Sequence, residues 1–135
     1  MVKYYWDYSN MGNNKMIESG FSDIVGADWI DLKRKVCLSR ILIFTDPQCR
    51  KWIVPKGTIV DGASIPRFLW HIIGGPFSGR YRRASVVHDH YCKTKERSSK
   101  ETHFMFYQAM RCDKVNIIKA KAMYFSILAF GPDWK

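Results

Sequence analysis

Apolar and polar residues alternate with two different periods along this chain, and the change of period divides it. From Asp28 to Asp46 the residues Val36, Leu38, Ile41, Ile43 and Phe44 are β-branched, aliphatic or aromatic, which predicts strands, and Asp46-Pro47 stops the run in a turn. Lys51 to Pro55 reads as a second short strand. Thr58 to Val60 reads as a third, after the turn Pro55-Lys56-Gly57 and before Asp61-Gly62. After Pro66 the spacing becomes helical. Arg67 to Ile73 predicts a short apolar helix with Pro66 near its first turn, broken by Gly74-Gly75-Pro76. Tyr81 to Lys93 predicts a helix with Ala84, Val87, His88 and Tyr91 on one face. Ser98 and Glu101 form a capping-box pattern, and the helix they open carries His103, Phe106, Tyr107 and Met110 on one face. Asp113 starts a last helix that runs to Phe130 and ends at Gly131-Pro132; it is apolar nearly all round, which predicts a place at the centre of the core.

Residues 1–20 read as an arm or short hairpin, with Gly12 and Asn13-Asn14 as turn signals. Tyr4, Tyr5, Trp6 and Tyr8 are unusual in a free tail, so this segment is expected to dock on something. Strands first and helices second predict an α+β fold, a small antiparallel sheet packed by three or four helices. Its 135 residues predict a single domain over 1–135.

Composition narrows the class. With 47% hydrophobic and 15% aromatic residues there is enough apolar mass for one compact core, which excludes a disordered chain. No stretch reaches the roughly 18 apolar residues of a membrane span. The start, Met1-Val-Lys-Tyr-Tyr-Trp-Asp-Tyr, lacks the basic and apolar segments of a signal peptide. The expectation is a soluble protein used in a cytoplasm. Cys37, Cys49, Cys92 and Cys112 contain no C-x-x-C and are expected to be thiols there.

Charge sharpens the choice of partner. The formal net charge is +10. Residues 1–32 hold two basic and five acidic groups, so the basic excess lies entirely in the rest. A basic body suits nucleic acid, anionic lipid or an anionic polymer such as a cell wall, or serves solubility alone. One cluster is Lys33, Arg34, Lys35, Arg40, Arg50, Lys51 and Lys56; another is Arg80, Arg82, Arg83, Lys93, Lys95, Arg97 and Lys100. With Trp52, Trp70 and Tyr81 between them, they suit a phosphate backbone and a stacked base, without sequence-specific reading.

The residues with chemistry lie in three segments, Val54 to Pro66, Ala84 to His90, and His103 to Tyr107. Asp61 sits at a strand end in a turn that Gly62 permits. His88 and Asp89 are adjacent on a helix, about 100° apart in projection. His103 faces the core side of the next helix. Two histidines and two aspartates from three elements suit a four-coordinate cation with one position open to water, whose pKa the metal would lower. Singly, each has a structural use: Asp61 in its turn or as a cap, His103 as a bonded core group, and Asp89 paired with Arg80, Arg82 or Arg83. His90 is expected to be exposed and His71 to flank the 74–75 loop. Ser64, His88 and Asp61 can also be written as a serine triad, although no nucleophile-elbow sequence surrounds Ser64. Cys92 lies a full turn from His88 and is the weaker nucleophile.

Taken in order, V-P-x-G-x-x-x-D-G-A-S-x-P at 54–66, A-x-x-x-H-D at 84–89, F-Y-x-A-M at 106–110 and F-G-x-x-W at 130–134 resemble a family of small domains of unknown function found in phages and prophages. The resemblance covers about residues 54–134. Such a histidine–carboxylate set implies a metal-dependent hydrolase. Similar proteins tend to carry Asp before F-Y-x-A-M, where this chain has His103; that exchange suits zinc, iron or manganese rather than calcium or magnesium.

The expected function is therefore a phage-type hydrolase of a peptide or amide bond, as in peptidoglycan. Asp61, His88, Asp89 and His103 would hold one zinc or manganese ion, with Asp61 and Asp89 also catalytic. The alternatives are a non-catalytic phage accessory or virion protein that binds a phage or host protein, and a nonspecific nucleic-acid binder. The place of action is the host cytoplasm or the virion.

Overall fold

The computed structural model describes residues 3–6, 16–22, 26–29, 35–62, 64–73 and 79–135. The turn expected at Gly12 to Asn14, Tyr8, Lys33, Arg34 and the break at Gly74 to Pro76 lie outside them. The architecture is α+β, as the order of elements predicts. Strands β1 (Lys3–Trp6), β2 (Met16–Phe21), β5 (Leu42–Thr45) and β6 (Lys51–Val54) form one antiparallel sheet in the order β1-β2-β5-β6. Strands β3 (Ala27–Trp29), β4 (Val36–Leu38) and β7 (Ile59–Val60) form a second, in the order β3-β4-β7. Helices α1 (Arg67–Ile73), α2 (Arg82–Thr94), α3 (Ser99–Cys112) and α4 (Ile117–Phe130) follow.

The N-terminal segment is a hairpin: β1 pairs with β2 from Lys3↔Ser19 to Trp6↔Met16, and β2 continues onto β5 through Gly20↔Thr45 and Phe21↔Phe44. The apolar run from Val36 to Thr45 is cut at Ser39-Arg40, where the chain passes from one sheet to the other, so Ile41 is exposed and Leu42 buried. In β5 and β6 alternate side chains are buried, which places Leu42, Phe44, Trp52 and Val54 on the core face. Burying each of these contributes roughly 1.5–3 kcal/mol, more than any one surface ion pair.

The β5–β6 turn is built on a buried charge. The Asp46 carboxylate accepts from the backbone N–H of Gln48 and of Arg50 (both 2.9 Å), from Arg50 Nε (2.8 Å) and from Trp52 Nε1 (2.9 Å). Trp52 is fully buried, so it cannot stack a base; its indole belongs to the core under the Arg97 guanidinium, 4.0 Å from the ring centre.

Helix α2 is buried on every side from Ala84 to Cys92, because α3 covers one flank and β6 and β7 the other. His90 is therefore buried rather than exposed. The capping box at α3 is present: Ser98 Oγ accepts from Glu101 N–H and the Glu101 carboxylate accepts from Ser98 N–H. Asp113 does not open the last helix. It closes α3 and pairs with Arg83, and Asn116 caps α4 by accepting from Ile118 N–H at 2.8 Å. Contrary to the periodicity, α4 lies at the edge of the core rather than at its centre. It packs on α3 through Ala120, Met123 and Ile127, while Ile118, Phe125, Leu128 and Phe130 face outward.

Replacing Asp46 by Ala strands four donors at once, one of them on a buried indole. The expected loss is about 3–5 kcal/mol, read from the urea unfolding midpoint. An unchanged midpoint would show that the turn does not depend on this carboxylate.

Candidate functional site

Three side chains, Asp61, Asp89 and Lys93, meet where α2 passes under the turn that follows β7. Gly62 has φ of +72°, in the left-handed region that suits glycine, and it turns the chain sharply after Asp61. The buried Asp89 carboxylate holds that turn: it accepts from Asp61 N–H at 3.1 Å and from Ser64 N–H at 3.4 Å. Lys93 completes the arrangement, 3.2 Å from Asp61 Oδ1 and 3.2 Å from Asp89 Oδ2. Burial disfavours the Lys93 ammonium, but the two aspartates outweigh it and raise its pKa. Asp89 thus pairs with Lys93, one turn on along its own helix, rather than with Arg80, Arg82 or Arg83.

Fixing the turn carries Ser64 Oγ to 3.2 Å from His88 Nδ1. The other nitrogen of that ring, Nε2, lies 2.9 Å from Nδ1 of His103 on α3. His103 Nε2 lies 2.8 Å from the carbonyl oxygen of Pro132. Cys92 Sγ, one turn beyond His88, is 3.5 Å from His88 Nε2. His88, Cys92 and His103 are all buried, and their ligand atoms all lie within 4.8 Å of one another.

The residues after α4 are shaped for this contact. A Cβ on Gly131 would stand 2.5 Å from the carbonyl oxygen of Ile127, so only glycine lets the chain leave the helix here. The segment then folds back over α3: Ser99 Oγ bonds Asp133 Oδ1 (2.6 Å) and the Trp134 carbonyl (2.8 Å), and Trp134 Nε1 donates to Arg97 O (2.7 Å). Trp134 meets the His103 ring edge-on, with centres 5.8 Å apart.

A carbonyl oxygen only accepts, so the bond to Pro132 places the His103 proton on Nε2 and leaves Nδ1 as an acceptor. His88 Nε2 must then donate, and His88 Nδ1 accepts from the Ser64 hydroxyl. Both rings are held neutral. Burial pushes the His88 pKa well below 6.5, with His103 adding to the effect; burial also lowers His103, against the opposing pull of the Pro132 carbonyl and Asp133. Burial and the nearby Asp89 push the Cys92 thiol up to about 12, so it stays protonated.

The four expected ligands are therefore divided. His88 and His103 come together; Asp61 and Asp89 come together around Lys93. Ser64, through its N–H on Asp89 and its hydroxyl on His88, joins the two groups. The third member of the Ser64–His88 array is His103, not Asp61. Cys92 was the residue sequence reasoning undervalued, although His88 and Cys92 stand at i and i+4, the spacing that puts two side chains on one helical face. The Pro132 carbonyl carried no signal beyond its place in the F-G-x-x-W block.

His88, Cys92 and His103 form a group that could hold a metal ion. Two nitrogens bound to tetrahedral zinc at about 2.0–2.1 Å stand about 3.3 Å apart, against 2.9 Å between His88 and His103, so the rings need to part by only a few tenths of an ångström. The outer nitrogens already have partners, as ligating histidines do.

The sequence profile of a family described as a protein of unknown function (DUF1353) matches residues 37–127. The chain belongs to that family. It is similar to the uncharacterized protein y4jT of Sinorhizobium fredii (strain NBRC 101917 / NGR234), 55% identical over 97 residues, which are 72% of this chain and 29% of that protein. It is also similar to the uncharacterized protein y4iH of the same organism, 43% identical over 83 residues, or 62% of this chain and 35% of that one. The chain thus spans about a third of the length of these curated relatives. No solved structure matches it. The profile includes Ser64, His88, Cys92 and His103 but stops short of Pro132.

The buried histidines set a pH dependence with a definite sign. His88, His90 and His103 have folded pKa values below 6.5, so below that pH the unfolded chain binds more protons than the folded one. Stability is complete above about pH 6.5 and falls as the pH drops, by about 1.4 kcal/mol per pH unit for each proton taken up on unfolding. Urea midpoints at pH 7.5 and 5.5 are expected to differ in that direction. Equal midpoints would mean that the histidines are not held neutral.

Proposed function

We propose that this DUF1353 chain is a hydrolase of peptide or amide bonds that works with one zinc ion, held by His88 Nε2, His103 Nδ1 and the Cys92 thiolate. The observation that carries this reading is the approach of three ligand atoms from α2 and α3 to within 4.8 Å. A thiolate with two imidazoles suits zinc better than manganese, and both better than calcium or magnesium. Three protein ligands leave a fourth position for water, and zinc brings the pKa of that water to about 7. Asp61 and Asp89 become positioning groups in this reading, since Asp89 holds the turn that presents Ser64. Binding converts a thiol held near 12 into a thiolate, so each zinc taken up releases a proton.

The basic body supports an anionic polymer as substrate, with the peptide or amide bonds of peptidoglycan as the fitting class. The motif resemblance supports a phage or prophage setting, with the host cytoplasm or the virion as the place of action. Nucleic-acid binding loses support from the burial of Trp52. No helix of the described residues is long and apolar enough to cross a membrane. The non-catalytic alternative, a phage accessory protein, is favoured by one observation, the outward apolar side chains of α4. On that reading light scattering finds the protein self-associated, and Phe125→Lys returns it to the monomer.

The test is metal analysis of the untagged protein beside Cys92→Ser and His103→Ala, with circular dichroism to confirm folding. About one zinc per chain, lost in both variants, is the expected result. No metal after incubation with zinc and manganese would sink the zinc reading.

A further inference from the structure

The proton order along the hydrogen bonds gives the same side chains a second use, one that needs no metal. Every donor in the series points one way: Ser64 hydroxyl to His88 Nδ1, His88 Nε2–H to His103 Nδ1, and His103 Nε2–H to the Pro132 carbonyl. That order leaves an unprotonated ring nitrogen facing a hydroxyl, with the far side of the ring already held by a third group. This is the arrangement that activates a serine nucleophile. The Ser64 main chain is held independently, through its N–H on the Asp89 carboxylate at 3.4 Å. Cys92 Sγ is farther than Ser64 Oγ from the accepting Nδ1 of that ring, 3.8 Å against 3.2 Å.

We propose that the metal-free protein is a serine acyl-transfer enzyme, with Ser64 as nucleophile, His88 as general base and His103 as the positioning residue, acting on the acyl group of small esters. In the first half-reaction Ser64 Oγ bonds to the acyl carbon, its proton passes to His88 Nδ1, and the ester C–O bond breaks as the departing alcohol takes that proton. Water then attacks the acyl-serine and gives a proton to His88. The acyl–Oγ bond breaks, the carboxylic acid leaves, and His88 returns the proton to Ser64. While His88 is a cation, His103 Nδ1 accepts its Nε2–H and the Pro132 carbonyl stabilises His103 in turn. A neutral imidazole is a weaker partner for that cation than a carboxylate, so His103 makes a slow enzyme of this relay.

Zinc and the relay exclude one another, because metal on His88 Nε2 moves the ring proton to Nδ1, where it donates to Ser64 instead of accepting from it. The acyl-transfer activity goes beyond the zinc reading and does not rest on it.

The test uses EDTA-treated protein and p-nitrophenyl acetate, so its outcome is independent of metal content. Peptide mass spectrometry is expected to find the acetyl group on Ser64, with a burst of p-nitrophenolate. Ser64→Ala removes both, and its small change in volume leaves the fold in place. His103→Leu slows acylation by about tenfold or more, whereas His103→Asp, which restores an acceptor for His88 Nε2–H, matches or exceeds the wild type. A burst that persists in Ser64→Ala, an acetyl group on Cys92 or lysine alone, or no acetylation of the wild type would each overturn the proposal. None of these results bears on zinc content.

Discussion

Polar groups inside α2 must find partners within the protein, and the site follows from that requirement. Between Ala84 and Cys92 the helix has no face open to water, yet it carries His88, Asp89 and His90. An unpaired buried donor or acceptor costs about 1–3 kcal/mol and an unpaired charge more. Asp89 meets the demand by taking backbone N–H groups from the turn after β7, and His88 meets it by bonding Ser64 on one side and His103 on the other. The loop, the third helix and the segment after the fourth are thereby fixed around α2. What gives the cluster its chemistry also joins elements far apart in sequence.

How far the sequence revealed this depended on how local each signal was. The short strand Lys51-Trp-Ile-Val and the Ser98–Glu101 box are decided by neighbours within a few residues, and the structure has them as predicted, whereas the run from Asp28 to Asp46 is divided between two sheets. The H-D pair was recognisable as polar residues on a helical face. That the two side chains point to different partners depends on the β7–α1 turn and α3, which no periodicity describes. The Pro132 carbonyl was beyond reach for the same reason, because a main-chain group has no letter of its own.

Helix α4 failed the prediction in an instructive way. Apolar residues all round a helix imply burial on all sides only if enough partners exist to surround it. Here α3 covers the side bearing Ala120, Met123 and Ile127, and among the described residues no other element packs heavily on α4. The positive charge is likewise less free than its count suggests. Arg83 is paired with Asp113, Arg50 bonds Asp46 and Glu101, and Arg97 lies over Trp52 while donating to Lys51 O.

The last of those contacts has a bearing on how the protein meets others. Strand β6 ends its sheet, and its outward backbone groups would normally invite another chain to extend the ladder. Tyr91 Oη already accepts from Ile53 N–H at 2.9 Å, and Arg97 already donates to the Lys51 carbonyl at 2.8 Å. Two side chains from α2 and its following loop thus occupy the docking points of a foreign strand. Amyloid-like stacking and peptide capture by strand addition are both blocked at this edge, which leaves side-chain surfaces as the means of recognition there.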